Sequence, residues 1–301
     1  MQELPKKIAA IDIGSNAVRL LIYHIYPNMQ GELVFKKFAL TRVPLRLGAD
    51  VFADNRISKV KAHLLGKTML AFKNLLEVHG IEDWRACATS AMREAENREE
   101  VRAEVWKTSG VDINIIEGEE EADLIFETHI ADKLDPSAAY LYMDVGGGST
   151  ELTLFSRGNK QFSKSFKLGT VRLLHGKVGE SEWQSMKECL EDLHGSFGAM
   201  QGIGSGGNII KIKKMTGIPE SKPMSQSRLQ SMYKGLSAMS YDERIRSLNL
   251  NPDRADVILP AAQIFLFMCK HAQIKQIWVP KTGLSDGIIR SIYAQSLQKE
   301  P

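Results

Sequence analysis

Ala10-Ile11-Asp12-Ile13-Gly14-Ser15-Asn16-Ala17-Val18-Arg19-Leu20 and Tyr142-Met143-Asp144-Val145-Gly146-Gly147-Gly148-Ser149-Thr150-Glu151-Leu152 are two versions of one pattern. Superposed, Asp12 falls on Asp144, Gly14 on Gly146 and Leu20 on Leu152. In each copy an apolar strand runs into an aspartate, a tight turn of small residues follows, and a second apolar strand leaves. The repeat predicts two similar lobes, each presenting a carboxylate beside a bare backbone loop.

The surrounding pattern repeats as well. After the first copy, Val34–Leu47 reads as a third strand ending near Gly48. A long helix follows, capped by Asn55 or Ser58, with Val60, Leu64, Phe72 and Leu75 at helical spacing. Trp84–Ala88 reads as a strand, Arg98–Thr108 as a helix and Val111–Ile116 as a strand. A helix over about Glu119–Ala131 opens on acidic residues, which a helix dipole favours in its first turn. The cycle then restarts with strands at Ala139–Val145, Leu152–Phe155 and Gln161–Lys167, a helix over Glu182–Met200, and a glycine-rich turn at Gly202–Gly207 leading into a helix through Met215. Helices over about Ser227–Met239, Tyr241–Asn249 and Ala255–His271, a strand at Gln276–Val279 and a closing helix at Leu284–Ser296 complete the chain. Strands alternating with helices imply an α/β fold with helices packed on sheets. The duplication divides it into lobes at 1–123 and 124–301 with a cleft between them, the kind of place where ligands bind.

Composition narrows the class. The 301 residues carry 39 basic and 36 acidic side chains, a net charge of only +3, and 43% hydrophobic residues. That is a globular composition, and a duplex nucleic-acid binder would be more strongly basic on one face. Cys87, Cys189 and Cys269 are odd in number and far apart, so neither a disulfide framework nor a zinc site is expected. The start of the chain has no secretory pattern and no window reaches the apolar length of a membrane span. The expectation is a cytoplasmic protein, with no duplex nucleic acid or membrane as partner and a homodimer left open.

Gly146-Gly147-Gly148-Ser149-Thr150 carries the strongest chemical signal. Three glycines remove every Cβ, so backbone N–H groups can approach an anion closely. Asp144 beside such a loop would repel phosphate unless a cation such as Mg²⁺ neutralised it. In the first copy Ser15 and Asn16 can donate to a phosphate. Arg19 either faces the same ligand or is solvated. Gly204–Asn208, including Gly206 and Gly207, places a glycine turn before a helix, a ready anion site. Arg93 stands at the corresponding place in the first lobe, where it binds an anion or pairs with Glu94 or Glu96. Lys211, Lys213 and Lys214 could line a polyanion path or form a solvated face. A carboxylate among Glu117, Glu119, Glu120 and Glu121 could take a proton from water if burial raised its pKa. The residues alone do not single out one of them.

Together these stretches resemble the exopolyphosphatase/guanosine pentaphosphate phosphatase family of the actin-like ATPase superfamily. The matches are Ala10–Leu20, Arg46-Leu47-Gly48, Ala88–Arg93, Gly118–Ala122, Asp144–Leu152, Leu168–Leu173 and Gly204–Asn208, spread over essentially the whole chain. The resemblance implies two ribonuclease H-like lobes and hydrolysis of phosphoanhydride bonds. It implies Glu121 as general base, and Asp144 and Glu151, with Asp12 as the first-lobe counterpart, as the Mg²⁺ set. It implies Arg93 and the Gly146–Ser149 backbone as the grip on the terminal phosphate. Two departures stand out. Glu117 occupies a position that is often serine, and Gly283-Leu284-Ser285-Asp286-Gly287 stands where Gly-Leu-Arg-Glu-Gly is common. Longer relatives continue into a helical His-Asp domain, whereas this sequence stops at Pro301. The expected substrate is linear inorganic polyphosphate. The alternatives are guanosine pentaphosphate in the same site or a non-catalytic sensor of either ligand.

Overall fold

The computed structural model describes residues 5–126, 128, 135 and 137–298. Its contacts divide the chain into two units: Met1–Thr128 with Gly283–Pro301, and His129–Thr282.

In unit 1, β1 (Lys6–Ile13), β2 (Val18–Pro27) and β3 (Leu33–Val43) form an antiparallel meander. Helices α1 (Leu47–Asp54) and α2 (Lys59–Val78) lead to β4 (Asp83–Ala88), which lies parallel to β1. Then come α3 (Ser90–Glu94), α4 (Arg98–Ser109), β5 (Asn114–Ile115) and α5 (Gly118–Phe126). The sheet order is β3-β2-β1-β4-β5. β1 is buried without interruption from Ile8 to Ile13, as expected of a central strand covered on both faces.

Unit 2 repeats the plan. β6 (Ala139–Val145), β7 (Thr150–Ser156) and β8 (Asn159–Phe166) form the meander. α6 (Thr170–Leu174) and α7 (Glu180–Phe197) lead to β9 (Met200–Ser205), parallel to β6. α8 (Gly207–Thr216), β10 (Met224–Ser225), α9 (Gln226–Ser237), α10 (Tyr241–Leu248), α11 (Pro252–Ala255), α12 (Ile258–His271) and β11 (Gln276–Trp278) follow. The order β8-β7-β6-β9-β11-β10 matches that of unit 1 strand for strand until the extra edge strand β10.

The last helix, α13 (Leu284–Leu297), corrects the expected division at residue 123. Its buried face, Leu284, Ile288 and Ile289, completes the core formed by Ile8, Ala10, Leu21, Tyr23 and Leu124. Apolar burial therefore returns it to unit 1.

Other elements also differ from the sequence reading. The third strand stops at Val43, because Arg46 takes a left-handed conformation (φ 53°) and starts α1. Val60, Leu64 and Leu75 lie on the exposed side of α2, and Leu65, Met69, Phe72 and Leu76 are the buried face. The expected strand over Val111–Ile116 shrinks to β5. Helix α7 ends at Phe197, and Met200–Ser205, expected to be helix end and turn, is a central strand. Its glycines serve packing: a Cβ on Gly202 would stand 2.7 Å from Cε of Met143, and one on Gly204 3.1 Å from Phe265. The expected helix over Glu119–Ala131 runs to Phe126, and its remainder falls mainly outside the described residues.

Candidate active site

The two Asp-x-Gly turns fold alike. Gly146 N–H donates to Ser149 O at 3.0 Å and Gly14 N–H to Ala17 O at 3.1 Å. Both aspartates end a central strand with a strand on either side. Asp144 faces Glu151 on β7 and Ser205 on β9. Asp12 faces Arg19 on β2 and Cys87 on β4.

In unit 2 the loop rests on the start of α6. Gly146 O accepts from Thr170 N–H at 3.0 Å, and Gly147 O accepts from the N–H groups of Val171 and Arg172 at 2.8 and 3.1 Å. Gly148 O accepts from Arg172 Nε at 2.9 Å, and Thr150 Oγ1 donates to Leu168 O. A trans peptide points its C=O and the following N–H in opposite directions. With three successive carbonyls held by the α6 side, the N–H groups of Gly147, Gly148 and Ser149 face the other way, a row of donors that could meet an anion. Gly169 makes this contact sterically possible: a Cβ there would lie 2.4 Å from the Gly148 carbonyl carbon and 2.5 Å from that of Gly147.

The carboxylates sit beside this loop. Glu151, 2% exposed, accepts from Ser149 Oγ at 2.6 Å and Ser165 Oγ at 2.9 Å. The Ser149 hydroxyl therefore donates to Glu151, which leaves its backbone N–H as the donor that could meet a ligand. Asp144 and Glu151 stand directly opposite each other across the β6–β7 pair, where a cation could be held between two carboxyl groups. Among the described residues no three His, Cys, Asp or Glu side chains come together as a metal cage. Two carboxylates suit Mg²⁺, which keeps several waters and commonly binds through one or two carboxylates plus substrate phosphates. Gly206, at φ 103°, caps α8 and passes close to the end of β6: a Cβ would stand 2.9 Å from Val145 O and 3.4 Å from Asp144 Oδ1. Lys213 is buried and donates to Glu220 O and Lys222 O, and burial lowers its pKa. It braces a loop and does not line a polyanion path.

In unit 1 the same scaffold carries different charges. Ser15 O accepts from Gly48 N–H at 2.8 Å and Asn16 O from Arg46 N–H at 3.0 Å. The Arg46–Gly48 segment thus does for this turn what Gly169–Arg172 does for the other, and the N–H groups of Asn16 and Ala17 point away from it. Ser15 Oγ lies 2.8 Å from Ser90 Oγ, joining the turn to α3, which carries Arg93. Arg19 Nη1 meets Asp12 Oδ2 at 2.6 Å. The Asp12 carboxylate is therefore paired with a cation, whereas in unit 2 the matching position, Glu151, supplies a second carboxyl group. Burial pushes the Cys87 thiol beside Asp12 up to about 12.

Arg93 pairs with neither Glu94 nor Glu96: Nη1 donates to Ile116 O at 2.8 Å and Nε stands 3.8 Å from Glu117. Glu117 is mostly exposed and its carbonyl accepts the N–H of Glu121 at 2.9 Å. Arg93 and the start of α5 are thus one connected group. Burial separates the acidic residues, with Glu119 and Glu120 exposed and Glu121 only 8% exposed. A hollow of about 640 Å³ in unit 1, lined by Trp84, Arg85, Arg98, Arg102 and Asp112 among others, shares only Glu117 with these residues. Residue-by-residue reading did not pick out Ser90, Ser165, Gly169 or Arg172. Of these, Gly169 and Arg172 lay in a family-like stretch to which no role was given.

Two α/β units of one topology, each with an aspartate and a small-residue loop at the end of its central strand, define a protein of duplicated fold. A model of the Ppx/GppA phosphatase family matches residues 25–296, and the chain belongs to that family. A putative exopolyphosphatase of Haemophilus influenzae is 24% identical over 95% of this chain and 91% of its own length. Exopolyphosphatase 1 of Mycobacterium tuberculosis is 30% identical over 56% of this chain, and the match spans 47% of that protein. A guanosine-5'-triphosphate,3'-diphosphate pyrophosphatase of Aliivibrio fischeri is 30% identical over 58% of the chain and 34% of its own length. Among solved structures, an exopolyphosphatase from Cytophaga hutchinsonii superposes with a TM-score of 0.82 at 22% identity, covering 96% of this chain and 98% of that one. The Aquifex aeolicus family member superposes at 0.74 with 24% identity, over 98% and 99%. The expected two-lobed, actin-like α/β fold is the fold observed. Among the described residues no helix is long and apolar enough to cross a membrane.

Proposed function

We propose that this chain is an exopolyphosphatase, hydrolysing the terminal phosphoanhydride of linear inorganic polyphosphate with Mg²⁺. The observation that carries the reading is the orientation of the Gly146–Ser149 loop, whose three carbonyls are bound on the α6 side. Its outward N–H groups bind the terminal phosphoryl oxygens without adding charge. Asp144 and Glu151 hold Mg²⁺, which neutralises charge on the phosphates. Asp12, matched by Arg19, is left out of the direct ligand set. The first-copy turn supplies a second set of phosphate donors, the Asn16 and Ala17 N–H groups, with Ser15 and the Asn16 side chain in the same turn. The N-terminus of α8 at Gly206 and Gly207 adds further donors. Arg93 supplies the side-chain cation. Glu121, on α5, orients the attacking water and takes its proton, and the shortened chain leaves as the anion. Phosphoryl transfer depends chiefly on such positioning and charge neutralisation.

The likeness to a guanosine pentaphosphate phosphohydrolase keeps that substrate as a second reading, since a 5′-triphosphate end offers this loop the same terminal phosphoryl group. Phosphate release is to be measured on tripolyphosphate, long-chain polyphosphate and guanosine pentaphosphate, with and without Mg²⁺. The expected result is Mg²⁺-dependent release fastest from polyphosphate. Faster release from guanosine pentaphosphate selects the second reading, and binding without release from any of them leaves a sensor. Glu121→Gln is expected to lower kcat roughly 10²–10⁴-fold with KM kept. Turnover at the wild-type rate would remove Glu121 as the base.

A further inference from the structure

Helix α5, which carries Glu121, is in backbone contact with α13. A Cβ built on Gly287 would stand 1.8 Å from Leu124 O, 2.4 Å from the Leu124 carbonyl carbon and 3.2 Å from Ile125 N. These are main-chain atoms, so no side-chain rotation relieves the overlap. Gly287 lies inside a helix and is not among the positive-φ glycines. Its conformation would suit alanine, which helices prefer by about 1 kcal/mol. The glycine is therefore explained by the closeness of the two helices and not by backbone freedom.

The turn that carries Gly287 is fixed from the other side. Asp286, 7% exposed, accepts from Tyr23 Oη at 2.5 Å on β2 and meets Lys37 Nζ at 2.7 Å on β3. It also accepts from Gly283 N–H at 2.9 Å, closing the N-terminus of α13. Leu284, Ile288 and Ile289 share a core with Leu124 and Ile116. The two anchor strands thus hold α13, and α13 in turn supports α5 at Leu124, three residues beyond Glu121. The Ser285-Asp286-Gly287 element is thereby linked to the proposed base without touching substrate.

We infer that Gly287 is a positioning residue for Glu121: the glycine contact with Leu124, anchored through Asp286, sets the placement of the catalytic carboxylate. This rests on the reading of Glu121 as general base. Gly287→Ala must move α5 by about 1 Å or more to restore ordinary contact, and a misplacement of that size costs about 10² in rate. With tripolyphosphate and Mg²⁺, the expected result is kcat reduced about 10²-fold with KM unchanged. In a Glu121→Gln background the same substitution is expected to change kcat no further, because the group it places is gone. Ile292→Ala, which trims the same helix without adding an atom towards α5, should lower stability and keep kcat. If Gly287→Ala yields no folded protein, Tyr23→Phe loosens the same anchor and is read by the same kcat loss and the same non-additivity.

The outcomes separate. Glu121→Gln impaired but Gly287→Ala at the wild-type rate overturns the positioning role and leaves the base intact. Losses that multiply in the double variant overturn it too, by showing an effect that bypasses Glu121. Glu121→Gln at the wild-type rate removes the base and the inference with it.

Discussion

Gly169 shows how much of the proposed phosphate loop lies outside the loop itself. The three glycines at 146–148 are visible in any reading of the sequence, but what turns their N–H groups outward is a segment more than twenty residues later. A methyl group on Gly169 would meet main-chain carbon at 2.4–2.5 Å. Either the loop or the start of α6 must then yield. Gly169→Ala is therefore expected to abolish detectable phosphate binding by calorimetry. Unit 2 should remain folded, because Val145 and Leu168 are the core residues that flank this contact and most of the core, such as Leu190, Ile212 and Phe265, is drawn from other elements. Retained binding would mean that the loop does not need its α6 support. Glu121 makes the complementary point. Three consecutive glutamates look alike in sequence, and only the fold, by exposing Glu119 and Glu120 and burying Glu121, tells them apart. Arg19 and Glu151 are a third case. Both were readable as matched positions in the two copies, yet their opposite charges gain meaning only once each is seen directly across from its aspartate.

Among the elements, those with a strong local signal were legible and those specified by neighbours were not. The meander strands, α4 and α13 follow from apolar runs and periodicity. β9 was hidden because Gly202 and Gly204, turn residues by habit, make room for Met143 and Phe265. α1 was hidden because its start depends on Arg46, held at φ 53° by bonds with another part of the chain. Arg46 N–H reaches Asn16 O, and Lys61 Nζ donates to Arg46 O at 2.6 Å. Lys61 also pairs with Asp50, which accepts from Ser58 N–H, tying α1 to the start of α2. Burial is the largest single influence on Asp50 and would raise its pKa, but hydrogen bonds from Lys61 and Ser58 together outweigh it and the pKa is lowered. A carboxyl depressed in the folded state adds stability above its unfolded pKa of about 3.9 and loses it as pH falls through the folded value. Asp50→Asn should therefore lower Tm at pH 7 by a few degrees, in keeping with about 1 kcal/mol for a partly exposed pair. The difference from wild type should shrink as pH drops from 4 towards 2. Scanning calorimetry across that range checks it, and a pH-independent difference would show that the charge on Asp50 is not what joins the helices.

At the scale of the whole molecule, the duplicated topology hides an asymmetry of chain path. Unit 2 is one continuous segment, His129–Thr282, with a core of its own drawn from β6, β7, α7, α8 and α12. Unit 1 is split, and its core stays incomplete until the final helix returns. Leu284, Ile288 and Ile289 are 6%, 0% and 0% exposed, and removing them uncovers Ile8, Ala10 and Leu21 of the central strands. Fully burying a Leu or Ile is worth about 1.5–3 kcal/mol, so three such side chains amount to much of the 5–15 kcal/mol that holds a domain folded. The two fragments should behave oppositely. Residues 129–282 expressed alone are expected to be soluble, to melt cooperatively and to bind phosphate through the Gly146–Ser149 loop. Residues 1–128 are expected to lack a cooperative transition and to be digested rapidly by protease. Adding residues 283–301 as a separate peptide, or joining them to residue 128 by a flexible linker, should restore both the transition and protection. A cooperative transition in 1–128 alone would show that α13 is an accessory to unit 1, and would weaken the case that it holds α5 in place.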